Sequence, residues 1–505
     1  MSWTFLSFLI IAVGYYLFRE MTGWLKLYKY KRQGIKHVKF CTTPGMFYKA
    51  AQSGKLDDEM AEEKKDMSEQ DPDQPFNVVN FGSQCFLNLI SEKAIKDFYA
   101  QEIEATIKPK IFGSFKFLGF LFENGKEVQE KRAIFAKMFH YSNVLKLMPN
   151  LRGLIKRHVR NLKKRAVAEG GQVKIDLKKE FTRALLDDLS ACILLGGADN
   201  KVDERFEGMN ITQIIQKMIK LFKVSSRNPL HTIPLVTHLG FNKQLNEIMR
   251  LKMALIEIIR TQYAKRYNNG TLLEKSVLDI MVKLNKESEI ETGKPKFSFS
   301  EITSIFELFQ FAAGDTSFQL SSTAITYLAL PENQVYQRRI QDEVESELDR
   351  SDTYSNEKLN SLKEVGFVFR ETTRLANPVT GLARVAIKDF KVDGYTVYKG
   401  DRVDILICNY EPKHFADPLR FNPDRFNEDR QGFMKAPRMK HLPFSVGQRA
   451  CLGKYLGEMM VKMIILELLR ELEVSVEPGY TMKLRYDPLY GVINPDLIMT
   501  VRSSE

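Results

Sequence analysis

The segment richest in potential chemistry is PFSVGQRACLG at 443–453. Cys451 stands there just ahead of an amphipathic stretch, Leu452 to Leu472, whose apolar residues recur at helical spacing. A cysteine at a helix start faces unpaired backbone N–H groups and the positive end of the helix dipole. Arg449 adds a nearby cation. These influences favour the thiolate, which serves as a nucleophile, a redox sensor or a metal ligand. The five cysteines (Cys41, Cys85, Cys192, Cys408 and Cys451) are odd in number and form no CxxC. Neither a secreted disulfide scaffold nor a structural zinc site is expected. Cys192 and Cys408 sit in apolar or alternating stretches and read as small core residues.

Three segments upstream bear on the same question. AAGDTS (312–317) is small and polar inside an otherwise apolar helical run. Glu371-Thr372-Thr373-Arg374 is a Glu-x-x-Arg, and FNPDRF occupies 421–426. A lone Glu-x-x-Arg means little, because i,i+3 ion pairs decorate many helices; here its order and distance relative to Cys451 give it weight. Together with Phe444-x-x-Gly447-x-Arg449-x-Cys451-x-Gly453, these segments resemble the motifs of the cytochrome P-450 family, in the family's order. The resemblance runs from about residue 40 to residue 500.

That resemblance implies haem b with the Cys451 thiolate as proximal iron ligand, a ligand that favours O–O cleavage. It implies that Phe444 packs on the proximal side, that Gly447 and Gly453 shape the loop, and that loop N–H groups temper the sulfur's charge. Arg449, Arg384 in GLARV and Arg132 would meet the propionates. One departure stands out. Where the family usually has Trp-x-x-x-Arg, this chain has Val128-x-x-x-Arg132, and its only tryptophans are Trp3 and Trp24. Asp315 and Thr316 would form an acid–alcohol pair that interrupts the helix ladder, holds water and passes protons. Glu371, Arg374 and Arg425 would be a structural cluster, since buried charges are costly unless they come together. His140, His414 and His441 lack a matching ligand context.

The elements that must position these groups are mainly helical with a small β region, as in the cytochrome P-450 fold. With 505 residues, 44% hydrophobic and 27% charged, the chain is neither disordered nor a polytopic membrane protein. FSFSEITSIFELFQFAAGDTSFQLSSTAITYLALP (297–331) reads as one long helix, capped by Ser300 and ended by Pro331. FNVVNFGSQCFLNLI (76–90) reads as paired strands about Gly82-Ser83. FKVDGYTVYKGDRVDILIC (390–408) alternates and turns at Asp393-Gly394 and Lys399-Gly400. The acidic run 53–75 reads as a solvated surface. The apolar segment 230–241 is either buried or a second membrane contact.

Trp3 to Phe18 is an uncharged run of sixteen, and Arg19, Lys26, Lys29, Lys31 and Arg32 come after it. At 1.5 Å per residue the run spans roughly 24 Å, short of a full hydrocarbon core, a gap that snorkelling by Arg19 and bilayer thinning would close. The charge bias places the rest of the chain in the cytosol. The expected organisation is a single-pass anchor and basic segment over 1–32 and one haem domain over 33–505, at the endoplasmic reticulum membrane.

The expected activity is a monooxygenase that inserts one atom of O2 into a lipophilic small molecule. Its electrons would come from an NADPH-dependent cytochrome reductase, with cytochrome b5 as a further candidate donor. No flavin or iron–sulfur pattern is fused to the chain. A net charge of +12 suits an acidic partner or anionic membrane lipid, and no nucleic-acid partner is expected. Lys435, Arg438 and Lys440 are candidate reductase contacts. Loops near 112–122, 205–240, 378–384 and 480–492 carry Phe112, Phe115, Phe117, Phe222 and Tyr490, which suit an apolar ligand. Two other readings remain: an oxygen-independent haem-thiolate isomerase or dehydratase acting on hydroperoxides, and a non-catalytic haem sensor at the membrane.

Overall fold

A computed structural model describes residues 3–36, 38–41, 74–81, 83–109, 121, 123–196, 204–226, 243–268, 276–348, 354–407, 417–430, 439, 441–486 and 489–502. Several expectations fall outside these residues: the acidic run, the 112–120 and 230–241 loops, Cys408, His414, Lys435, Arg438 and Lys440. The chain divides into two compact units, residues 1–109 with 373–451 and residues 110–372 with 452–505.

The first unit is built on a six-stranded sheet. Its spatial order is Val38–Cys41, Phe76–Phe81, Gln84–Leu89, Arg402–Leu406, Gly381–Ala386, Thr106–Ile107. Phe76–Phe81 and Gln84–Leu89 form the expected antiparallel pair. Phe390–Val392 and Tyr395–Val397 pair through a turn with Asp393 at φ 49° and Gly394 at φ 83°, the left-handed geometry that Asp-Gly favours. Helix Glu92–Ala105 is capped by the Ser91 side chain and packs Ala94, Ile95 and Phe98 into the core.

The N-terminal helix runs unbroken from Trp3 to Arg32. Ile10, Ile11, Val13, Tyr15, Leu17 and Phe18 are exposed, whereas Leu27 and Tyr30 are buried in the core of the first unit. Among the described residues no helix is long and apolar enough to cross a membrane. Asp401 holds the second half of this helix. Its fully buried carboxylate accepts from Lys26 Nζ at 2.8 Å, Tyr30 Oη at 2.9 Å and the Cys85 backbone N–H at 3.2 Å. Burial and this carboxylate push the Tyr30 phenol far up.

The second unit is mostly helical, with the three-stranded antiparallel sheet Leu472–Ser475, Asp496–Val501, Gln172–Asp176 at one side. The long helix begins at Phe299, and its cap is Ser298 rather than Ser300. Ser298 and Glu301 form a reciprocal capping box, which satisfies two end donors where Ser300 would satisfy one. The helix continues through a π-helical segment, Gln310–Asp315, to Ala329, and Pro331 opens a 3-10 turn. The hairpin Leu484–Tyr486/Tyr490–Val492 lies on this helix: Val492 N–H donates to Thr323 Oγ1 and Gln319 Nε2 donates to Val492 O, both at 3.1 Å. A Cβ on Gly491 would fall 2.6 Å from Thr323 Oγ1, so the close approach requires glycine.

The Asp401 lock makes a prediction. Asp401→Asn leaves Lys26 and Tyr30 without their anion and should cost about 2–3 kcal/mol in denaturant unfolding, the usual scale for hydrogen bonds to a charged group. Deleting residues 1–22 spares the lock and should leave the unfolding midpoint unchanged, whereas deleting 1–32 should lower it.

Candidate functional site

Residues 444–451 form a closed loop: the Cys451 backbone N–H donates to Phe444 O at 2.9 Å and the Ala450 N–H to Gly447 O at 3.2 Å. Gly447 has φ 78°, the region glycine adopts without strain. Ser445 holds φ 59° despite its Cβ, and its Oγ is 2.9 Å from Tyr99 Oη, which ties the strained residue to helix Glu92–Ala105. Gly453 caps helix Lys454–Glu471, so Cys451 lies three residues ahead of the first helical residue. Its thiol is exposed, whereas Cys85 and Cys192 are buried. Cys192 is thus the core residue expected.

Arg449 and Arg384 are brought together. Arg384 Nε donates to Glu102 Oε1 at 2.6 Å, and Arg449 Nη1 lies 3.7 Å from the same oxygen. Arg449 also donates to Thr106 O at 3.0 Å and Thr106 Oγ1 at 3.2 Å. Glu102 is 2% exposed. Neither it nor Tyr99 was flagged by the sequence, although an acid on the apolar side of helix Glu92–Ala105 is a legible anomaly. Arg132 lies in the second unit, on helix Lys126–Met138, beside Lys131, whose Nζ pairs with Glu301 at 2.5 Å.

Arg374 and Arg425 share a target. Arg374 donates to Pro418 O at 2.7 Å and Arg425 to Asp417 O at 2.8 Å, and both reach Arg420 O, at 3.4 and 3.3 Å. Both are buried, and Glu371 is fully buried one turn before Arg374 on the same helix. The contacts of Arg374 and Arg425 pin the turn at 417–420.

In the second unit the ladder of the long helix is interrupted at AAGDTS. Thr316 Oγ1 donates to Ala312 O at 2.5 Å. Asp315 Oδ1 accepts from Arg183 Nη1 at 3.0 Å, and that guanidinium lies 4.3 Å from the Phe318 ring centre. Ala312 is exposed and Phe311, Ala313 and Thr316 are part-exposed, in a helix otherwise largely buried. Helix Arg183–Leu195 carries Asp187 one turn beyond Arg183, and Asp187 Oδ1 accepts from Gln216. Burial pushes the Asp187 carboxyl up to about 6; Gln216 and Arg183 oppose the rise, while Asp315 and Asp188 add to it. The helix partners Arg183, Asp187 and Gln216 carry no motif of their own.

The donor set fits a haem. Within the first unit it offers one exposed soft thiol for iron and two largely buried guanidiniums for carboxylates. Among the described residues no group of three His, Cys, Asp or Glu side chains is placed to hold a bare ion.

The Asp187 shift fixes a sign. An unfolded aspartate titrates near 3.9, so the native state retains a proton that the unfolded state has released between about pH 4 and 6. Stability from this group is therefore present at low pH and lost as pH rises through 6. Asp187→Asn keeps the acceptor for Gln216 and should stabilise the protein by about 3 kcal/mol at pH 8, at 1.36 kcal/mol per pKa unit, with little gain at pH 4. Thermal unfolding at the two pH values checks this.

The Cytochrome P-450 family model matches residues 46–500. A sterol 14alpha-demethylase of Mycolicibacterium vanbaalenii is 28% identical over 312 residues, 61% of this chain and 64% of that protein. The match thus spans less than two thirds of the relative's length. Cytochrome P-450 9e2 of Blattella germanica is 31% identical over 194 residues, 36% of this chain and 35% of its own. A solved structure titled as retinoic acid bound cyanobacterial CYP120A1 superposes with a TM-score of 0.66 at 20% identity, covering 84% of this chain and 91% of that one. With the family model spanning most of its length and the fold shared, the chain belongs to the cytochrome P-450 family, whose members bind haem b.

Proposed function

We propose that the protein is a haem-thiolate monooxygenase that oxygenates a lipophilic small molecule with electrons from an NADPH-dependent reductase. The observation that carries this reading is the closed 444–451 loop, which presents an exposed Cys451 thiol and carries Arg449, whose guanidinium shares Glu102 with Arg384. Cys451 would ligate the iron, and Arg384 and Arg449 would hold the propionates. Bound haem b supplies a thiolate-ligated iron at which O2 is activated. Phe444 fixes the loop by accepting from the Cys451 N–H. Asp315 is held in place by Arg183, and Thr316 is oriented by Ala312 O, so the pair can keep water ordered and pass protons from it. Glu371, Arg374 and Arg425 stiffen the body and touch no substrate.

A lipophilic substrate is supported by the names of the relatives, one a sterol demethylase and one a structure with retinoic acid bound. The exposed apolar residues from Ile10 to Phe18 support attachment of the N-terminal helix to the endoplasmic reticulum membrane, with the body of the chain, which Lys26 and Tyr30 join, as the haem domain in the cytosol. The net charge of +12 supports an acidic redox partner, a reductase or cytochrome b5. Flotation with anionic vesicles should retain the full chain and lose a chain lacking residues 1–22; equal retention would contradict the attachment.

Reconstitution with an NADPH-dependent reductase tests the activity, using ligands found by spectral binding among sterols, retinoids and fatty acids. The proposal expects consumption of NADPH and O2 with an oxygenated product. Product formed from hydroperoxides without reductase or O2 would contradict it. Thr316→Ala should uncouple the reaction without unfolding the protein, because alanine keeps the helix. Loss of one positioned relay group typically costs about 10²–10⁴-fold on a proton-dependent step. Product per NADPH should fall and hydrogen peroxide rise; an unchanged ratio removes Thr316 from the relay.

A further inference from the structure

We propose that Glu102 is a positioning residue for the two propionate arginines, and that its charge lowers the reduction potential of the bound haem. The inference rests on the haem-thiolate reading above. Helix Glu92–Ala105 and the residue after it place Tyr99, Glu102 and Thr106 at i, i+3 and i+7, one stripe of the helix surface. Each member of the stripe makes a contact that bears on the cysteine loop or its cations: Tyr99 with Ser445, Glu102 with Arg384 and Arg449, Thr106 with Arg449. Thr106 Oγ1 donates back to Glu102 O at 2.6 Å, which closes the last turn beneath them.

The geometry divides the labour of each guanidinium. Arg384 spends Nε on Glu102 and Nη1 on Ala383 O at 2.8 Å, and among the described residues its Nη2 donates to nothing. That edge is left for an anion. Arg384 and Arg449 side chains are 9% and 13% exposed and that of Glu102 2%, so the three charges interact with little water between them. Two cations and one acid leave a net single positive charge. Two propionates turn it to a net single negative charge, whereas without Glu102 the cluster would be neutral. Reduction of the iron adds one electron, and a fixed buried anion opposes it.

Three variants of the full chain, loaded with haem, test this by spectroelectrochemical titration of the midpoint potential. Glu102→Gln keeps an oxygen for Arg384 Nε and removes the charge. It should raise the potential, making the constant for one-electron reduction about tenfold larger, about 59 mV. Glu102→Asp retains the charge and should stay close to the wild type. Glu102→Ala loses charge and acceptor together, and should also release haem to an apoglobin acceptor several-fold faster. A Glu102→Gln potential equal to that of the wild type, or equal shifts in the Gln and Asp variants, would overturn the proposal. Arg384→Gln separates the two levels of the account. If it alters haem release and potential while the Glu102 variants alter neither, only the role of Glu102 fails. If it alters neither, the propionate assignment itself fails. Near-ultraviolet circular dichroism of each variant shows whether it is folded, and Glu102→Ala, which also removes the charge and should also raise the potential, carries the test should Glu102→Gln not be.

Discussion

A thiol that is to bind iron must be open to its ligand yet fixed in position, and a loop satisfies the first demand more easily than the second. Here the Cys451 N–H closes the loop on Phe444 O, and Gly447 takes the backbone through φ 78°. Ser445 at φ 59° is unfavourable for a residue with a Cβ, and the Tyr99 hydroxyl beside its Oγ helps hold it there. The helix that supplies Tyr99 also supplies Glu102, which pairs with Arg384 and with Arg449 of the loop. One helix thus sets both the loop and its cations.

The same device recurs in each unit: a buried acid is shared by donors, at least one of them from a distant part of the chain. Asp401 gathers Lys26 and Tyr30, Glu102 gathers Arg384 and Arg449, and Glu467 gathers Arg152 at 2.7 Å and Arg470 at 3.9 Å. Such clusters add modestly to stability, because desolvation offsets much of the attraction, but breaking one leaves an uncompensated charge inside the protein. Their effect is to reject alternative arrangements. In this protein that selectivity serves to orient groups: the Asp315 carboxylate is set by Arg183, as Arg384 and Arg449 are set by Glu102.

Motifs confined to a few consecutive residues were legible in the sequence. The Cys451 loop, the hairpin at Phe76–Leu89, the Asp393-Gly394 turn and the interruption at AAGDTS all arise from local spacing and turn chemistry. The cap lies at Ser298, two residues before Ser300, and Ser298-x-x-Glu301 is itself the capping-box pattern. Glu102, Tyr99, Arg183 and Asp401 were not legible. Their roles come from partners 282, 346, 132 and 375 residues away, and no local periodicity reports such pairings. The N-terminal run reads as an anchor in isolation; only the fold shows that its helix continues into the core of a unit through Tyr30.

The central claim is that Cys451 ligates the haem iron. The most direct measurement is the spectrum of the reduced carbon monoxide complex for the full-length protein and its Cys451→Ser variant. The account predicts the red-shifted band of a thiolate-ligated haem in the first and its absence in the second, with the near-ultraviolet circular dichroism of a folded chain in both. A variant that keeps the red-shifted band would contradict the account, because another residue would then hold the iron.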